Sequence, residues 1–201
     1  MWKPIVLEAD GYYTANDFDS NGKLNANLPQ PRFGRVAPGD IKYKDYNNDQ
    51  VVDENDAHPI GNSTVPAWNY MFSGGFKYKS FDFSVMFQGV AQRDIYLRGA
   101  NIYSFQNNGT ASNLALDSWT PTHTDASYPR LSTMNFSNNY RTSTFWRRNG
   151  SFLRLRNIQV GYELANSVTR ALRLSSVYFY MNATNLFTLD HLGKLGDAEQ
   201  D

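Results

Sequence analysis

The stretch W-N-Y-M-F-S-G-G-F-K-Y (Trp68–Tyr78) is followed, after Lys79-Ser80, by F-D-F-S-V-M-F-Q-G-V (Phe81–Val90). Trp68, Tyr70, Phe72, Phe76, Tyr78, Phe81, Phe83, Val85 and Phe87 fall in one phase of a two-residue repeat. Asn69, Ser73, Lys77, Asp82, Ser84 and Gln88 fall in the other. A period of two is the strand period, because successive side chains leave the backbone on opposite faces. The two-residue link fits a tight hairpin. One face is aromatic along its whole length and the other is fit to line water, which is the dyad pattern of a transmembrane β-barrel strand. Strands of about 10 residues cross an outer membrane when tilted near 45°.

Alternation returns twice further along. In the strand expected over residues 150–164, Leu153 and Leu155 share one phase and Ile158, Val160, Tyr162 and Leu164 the other; a β-bulge at Arg156-Asn157 absorbs the shift. In the strand expected over 176–189, Val177, Phe179, Met181 and Ala183 point outward and Tyr178, Tyr180, Asn182 and Thr184 inward. With strands over 68–78 and 81–92, the chain reads as all-β: about four antiparallel barrel strands in two hairpins. Between the last two strands, Ala165–Ser175 makes a short turn, helical or irregular.

The remaining segments read as loops. Residues 1–66 are rich in Asp, Asn, Gly and Pro, with Ile41-Lys42-Tyr43 a short exception. Residues 93–149 are polar, apart from Ala111–Trp119, where a short helix would bury Leu114, Leu116 and Trp119 before Thr120-Pro121 stops it. Residues 191–201 begin a further polar segment. Barrel turns are short on the periplasmic side and long outside, so Lys79-Ser80 and Ala165–Ser175 read as periplasmic and the long segments as extracellular. Four strands leave two free edges, which lipid does not tolerate; the chain therefore reads as part of a larger barrel.

Composition narrows the alternatives. The 201 residues carry no net charge, and the pI is about 6.8, so no basic stripe argues for nucleic acid. Cysteine is absent, which excludes disulfide and thiolate chemistry. Aromatics reach 15% while mean hydropathy is −0.56, a pairing expected of a wet-lumen barrel with aromatic girdles. The N-terminal M-W-K-P-I-V-L-E-A-D lacks the features of a signal peptide, so an outer-membrane reading places the signal outside this chain.

Asp45, Asn47, Asp49, Val51, Asp53 and Asp56 occupy positions 1, 3, 5, 7, 9 and 12 of a calcium loop, with Val51 offering its carbonyl. Gln50 stands where an EF-hand has glycine, Asp56 where it has glutamate, and no helices flank the loop. Two readings stay open: a bound Ca²⁺ that stiffens the loop, and a solvated acidic loop held by Asx turns. Asp53 and Asp56 also form a carboxylate pair of the glycosidase kind, but so hydrophilic a loop offers nothing to raise an acid's pKa. His58, His123 and His191 have no zinc spacing. No nucleophile elbow or phosphate loop occurs, so no enzyme activity is expected. Trp146-Arg147-Arg148 reads either as a ligand subsite or as an interfacial belt residue with snorkelling arginines. The inward set of Asn69, Lys77, Asp82, Gln88, Arg154, Gln159, Glu163, Tyr178, Tyr180 and Asn182 reads as lumen wall, with Lys77, Asp82 and Glu163 in contact with a plug or in a ladder.

Four segments in order resemble the late part of SusC/RagA-type TonB-dependent outer-membrane transporters of Bacteroidetes. They are P-G-D-I-K-Y-K-D-Y-N-N-D-Q-V-V-D-E-N-D with I-G-N (Pro38–Asp56, Ile60–Asn62), S-W-T-P with Y-P-R-L-S (Ser118–Pro121, Tyr128–Ser132), N-G-S-F-L-R-L-R-N-I-Q-V-G-Y (Asn149–Tyr162) and N-A-T-N-L-F-T-L (Asn182–Leu189). The resemblance implies the C-terminal part of a 22-stranded plugged barrel, with signal, plug and final strand outside this chain. It also implies uptake of glycans or peptides with a SusD-like surface lipoprotein, energised by the TonB complex and seated in outer-membrane lipid. The competing reading is a soluble secreted β-sandwich that binds carbohydrate with calcium ordering one loop; its apolar face would mix Val, Ile and Leu rather than present rings.

Overall fold

The computed structural model describes residues 2–133, 138–171 and 173–192. They form two compact units, one from Ser63–Asp94 and Asn149 onward, the other from Trp2–Asn62 and Ile95–Arg148.

The first unit is built on an antiparallel sheet whose long strands are β1 (Trp68–Tyr78), β2 (Phe81–Ala91), β3 (Phe152–Glu163) and β4 (Tyr178–Thr184), in spatial order β4-β3-β2-β1. The all-β class is borne out, and the sheet is open. Lys79 takes a left-handed φ of 54° in the two-residue turn between β1 and β2. Register sorts the side chains as the alternation requires. Phe72 lies opposite Phe87, Phe76 opposite Phe83 and Tyr78 opposite Phe81. Phe81, Phe83 and Val85 then face Tyr162, Val160 and Ile158, which face Phe179, Met181 and Ala183. The β2–β3 register slips between Leu155 and Asn157. This bulge returns Leu153 and Leu155 to the apolar side, opposite Gly89 and Phe87.

The last strand departs from the continuous span expected over 176–189. It stops at Thr184 and resumes as Thr188-Leu189, still paired with β3. The break lies across from the bulge: Asn185 has φ 53°, its amide donates to the Arg156 carbonyl at 3.1 Å, and its Oδ1 accepts from Arg156 Nη1 at 3.1 Å. An extra residue in β3 thus forces a further one in its neighbour. Between β3 and β4 a short helix, α1 (Asn166–Ala171), supplies the helical alternative expected there; Leu172 and residues 193–201 lie outside the described residues.

Two glycines let rings cross the sheet. A Cβ on Gly89 would lie 2.6 Å from the Tyr70 ring, and Tyr70 Oη passes over that position to donate to the Phe152 carbonyl at 3.1 Å. On the other face, Tyr178 Oη passes over Gly161 and donates to Asp82 at 2.9 Å.

The second unit revises the picture of residues 1–66 and 93–149 as two separate loops. Most of both stretches fold together into one compact body. Short strands pair Ile5-Val6 with His58-Pro59, Ala9–Tyr12 with Ile41–Tyr43, and Gln30-Pro31 with Val51-Val52, the last pair parallel. Asp40, fully buried, accepts two hydrogen bonds from the Arg130 guanidinium at 2.7 and 3.0 Å and a third from Asn139 Nδ2 at 2.9 Å. Asn138 Nδ2 donates to the Ile41 carbonyl, and the Ile41 amide donates to Asn139 Oδ1. A fork of charge-assisted bonds to a buried carboxylate is strong and directional; it joins the two halves of this unit. Ile41, Tyr43, Tyr103, Tyr128 and Trp146 are buried in the same unit. The helix expected over 111–119 is a 3₁₀ segment, Asn113–Asp117. Trp119 and Ala115 are buried, but Leu116 is 88% exposed, because the tighter turn carries it away from the body.

Replacing Gly161 with Ala would set a methyl 1.8 Å from Tyr178 Oη, and the variant is expected to lose about 1–3 kcal/mol, the usual cost of overpacking. Chemical unfolding in detergent measures it. Adding Tyr178→Ala is expected to return part of the loss, a non-additive pair.

Candidate functional site

The sheet presents two chemically opposite faces. On the apolar side Phe72 is 64% exposed, Phe76 62% and Phe179 60%, with Trp68, Tyr78, Phe81 and Met181 also bare. Rings so exposed on adjacent strands make a patch of a kind that monomeric soluble surfaces rarely carry. No helix among the described residues is long and apolar enough to cross a membrane, which leaves the strands to be judged on their own pattern.

The opposite face is polar and pairs with itself near the short turns. Lys77 Nζ lies 3.4 Å from Glu163 Oε2. Tyr178 Oη bonds both Asp82 oxygens at 2.9 Å, and its ring stacks on Tyr180 with centroids 5.9 Å apart. Gln159 Nε2 reaches Tyr178 Oη at 3.5 Å. These form the ladder read from the sequence. At the far end Arg154 is buried and donates from Nε to Thr188 Oγ1 at 2.8 Å. Asn69 and Gln88 share this face with Met71 and Met86, so the row is less uniformly polar than the alternation suggested.

In the acidic loop the carboxylates turn to backbone amides. Asp45 accepts from the Asp49 amide at 3.2 Å and the Gln50 amide at 2.8 Å. Asn47 Oδ1 accepts from the Asp49 amide, Asp49 Oδ1 from the Val51 amide, and Asp53 Oδ1 from the Asn55 amide. Asp56, 1% exposed, accepts from Tyr46 at 2.8 Å, Asn47 at 3.4 Å and Asp53 at 2.8 Å. Gln50 adopts φ 65°, the left-handed turn for which glycine is the usual residue. Among the described residues no group of three or more His, Asp or Glu side chains is gathered as metal donors. The geometry is that of Asx turns closed by one buried carboxylate.

Trp146 is neither subsite nor belt residue. It is 2% exposed, donates from Nε1 to the Asn139 carbonyl at 2.8 Å, and meets Tyr103, Tyr128 and Phe145 edge-on. The sequence showed a Trp-Arg-Arg run without showing which side of it would be buried.

A titratable cluster escaped sequence reasoning. Asp117 accepts from Ser127 through Oδ2, and its Oδ1 lies 2.8 Å from His123 Nε2. His123 Nδ1 lies 3.4 Å from Asp125. The hydrogen bonds from Ser127 and His123 hold the Asp117 carboxyl down at about 2, and the bond to Asp117 pushes the His123 imidazole up. The tight Thr120–His123 turn that brings these residues together was visible only as Thr-Pro.

No family model matches the chain. A curated relative, TonB-dependent receptor P3 of Formosa agariphila, is 27% identical over 158 residues, which is 77% of this chain and 15% of the relative. Solved structures of a RagAB peptide importer share the fold. Its open-open state superposes with a TM-score of 0.63 at 19% identity over 98% of this chain, and its closed-closed state with 0.59 at 18% over 93%. The chain covers 20% and 19% of those chains. The resemblance to SusC/RagA-type TonB-dependent transporters is thereby borne out, in sequence by the receptor and in fold by the importer.

The His123 imidazole is expected to titrate above its ordinary value, and to fall back toward it in Asp117→Asn; proton NMR of the ring reads both. The pairing is complete below the ordinary imidazole pKa and is lost as pH rises through the raised one. The Asp117 part is complete above the ordinary carboxylate pKa and is lost as pH falls toward about 2.

Proposed function

We propose that this chain is the C-terminal barrel part of a TonB-dependent outer-membrane nutrient importer, with a transport role and no catalytic one. One observation carries the reading: an apolar, ring-rich face in register across four strands, most exposed on the outer two, backed by a polar face that pairs with itself. Strands of 11 residues tilted near 45° give a band of about 25 Å, the height of the apolar belt of an outer-membrane barrel. Trp68 and Tyr70 at one margin and Tyr78 and Tyr162 at the other suit the two interfaces. The turn at Lys79-Ser80 and the α1 connection then face the periplasm, and the second unit lies outside the cell.

The chain spans 15% of the curated relative, so plug, TonB contact and closing strands are proposed to lie in the rest of the polypeptide. The RagAB structures are named for peptide import, which supports a peptide substrate; the wider family resemblance supports glycans equally. A SusD-like lipoprotein is the proposed outer partner.

Calcium binding by the acidic loop is a separate proposal. The ligand spacing and the left-handed Gln50 support it, and the lack of a gathered donor set among the described residues counts against it. Asp56→Ala is expected to cost about 1–3 kcal/mol, since it strands buried amides. A Tm that rises with added Ca²⁺ in the parent but not in Asp49→Asn supports the cation; unchanged melting removes it and leaves the loop self-braced.

The membrane reading is tested by charge placement. Val85→Arg, on the apolar side at mid-strand, is expected to cost about 2–4 kcal/mol of folding in phospholipid vesicles, whereas Ser84→Arg on the polar side is expected to be tolerated. Recovery of the parent protein in the soluble fraction without detergent, or equal tolerance of both arginines, overturns the assignment.

A further inference from the structure

Within the second unit, Gly22–Leu24, Gln30-Pro31 and Gly34–Val36 enclose an open cleft of about 300 Å³. Leu24 and Val36, both buried, form its floor and pack on Tyr13 in the core. Lys23 and Arg35 stand exposed at its rim, and among the described residues neither has an ion-pair partner. The carboxylates closest in sequence already hold hydrogen bonds or an ion pair, that of Asp19 within the turn that carries Lys23. Asp17 Oδ2 accepts from the Thr14 amide and hydroxyl, Asp19 Oδ1 accepts from the Asn21 and Lys23 amides, and Asp53 faces Arg32 at 3.8 Å.

The walls are fixed by hydrogen bonds that are mostly backbone to backbone. The Asp19 amide donates to the Lys23 carbonyl at 2.8 Å and the Gly22 amide to the Asp19 carbonyl at 2.9 Å, closing the turn that carries Lys23. On the opposite wall, the Gln30 amide donates to the Gln50 carbonyl and the Arg32 amide to the Val52 carbonyl. Gln30 Nε2 is held by the Asn25 and Leu28 carbonyls. Gly22, at φ +69°, leaves open space on its side of the mouth. A small concave site with an apolar floor, fixed walls and a few polar groups at the rim is the form that ligand sites take, and a preformed wall lowers the ordering cost of binding.

Two cations line one cleft and neither makes an ion pair among the described residues, so the complement of the site is a negative charge. A carboxylate can accept from a planar guanidinium and an ammonium together. We infer that this cleft binds a small ligand bearing a carboxylate, with the anionic end between Lys23 and Arg35 and a short apolar or ring body on Leu24, Val36 and Pro31. Two sources carry that chemistry: the C-terminal carboxylate of a short peptide and the uronate of a sugar acid. The site stands whether or not the sheet spans a membrane, since every lining residue lies within 22–36.

Calorimetric titration of the full chain with four probes tests this: N-acetyl-Ala-Ala with a free carboxylate, its C-terminal amide, a galacturonate disaccharide and its neutral galactose counterpart. Binding of the acid peptide at least tenfold tighter than its amide assigns the peptide source; the same ratio between the two disaccharides assigns the sugar acid. Lys23→Gln and Arg35→Gln are each expected to weaken the bound acid about tenfold with Tm unchanged, and Lys42→Gln to leave it unaffected. Failure of both acids to bind, equal binding of acid and neutral forms, or binding indifferent to Lys23 and Arg35 overturns the inference.

Discussion

A sheet with rings along one face has to put that face against something that is not water. Burial of an aromatic side chain is worth a few kcal/mol, and on β1, β2 and β4 that gain is not collected within the chain: Phe72, Phe76, Phe81 and Phe179 remain more than half exposed. In the second unit the same residue types behave conventionally. Tyr13, Phe33, Tyr43 and Trp146 are buried there, and the Tyr43 hydroxyl and Trp146 indole N–H each donate to a backbone carbonyl. One sequence therefore uses aromatic residues in two regimes, and the contrast makes the sheet face informative. Under the proposed function hydrocarbon is the medium that resolves it, because the strands keep their backbone bonds satisfied by one another and need only further strands at the two edges.

Given that face, the polar side has to tolerate close neighbours without losing its hydrogen bonds. Gly161 and Gly89 meet this need on opposite sides of the sheet. A side chain at Gly161 would occupy the space of the Tyr178 hydroxyl and separate it from Asp82; one at Gly89 would displace the Tyr70 ring from its path to Phe152. Glycine costs a strand some stability, and here its absence of a Cβ lets a long aromatic residue tie strands that are not at hydrogen-bonding ladder positions. The bulge at Arg156 acts at the level of register: without it, Leu153 and Leu155 would sit on the polar face and Arg154 on the apolar one.

The strands were legible because a period of two survives in sequence whatever covers the face. Phe72, Phe83, Val160 and Met181 were assigned to one side from alternation alone, and even the bulge announced itself as a phase change between Leu155 and Ile158. What was not legible is cooperation between distant, aperiodic segments. Nothing in Pro38–Tyr43 says that Asp40 will meet Arg130, ninety residues on, so two polar stretches read as loops where they build one body. The Asp-rich loop left a cation site and a set of Asx turns both open, because the direction of each carboxylate depends on backbone turns at Asn48 and Gln50 that spacing does not encode. Leu116 and Trp146 were misjudged for a related reason: a 3₁₀ turn and a buried indole are decided by what packs from elsewhere in the chain.

The acidic loop and the basic cleft belong to one mechanical argument. Asp56 fixes Tyr46, Asn47 and Asp53, and so sets the path of the strand Val51-Val52. That strand in turn holds Gln30-Pro31 by parallel pairing, and Gln30-Pro31 is a wall of the cleft. A short parallel pair is a weak element by itself, so its position depends on what anchors it from behind. The buried carboxylate supplies that anchor through three backbone amides rather than through a side chain free to rotate. Carboxylates are thus consumed in building the wall, while Lys23 and Arg35 at the mouth make no ion pair among the described residues. The same allocation of charge that makes the loop stiff leaves the cleft cationic, and a ligand carboxylate entering it meets a shape already in place.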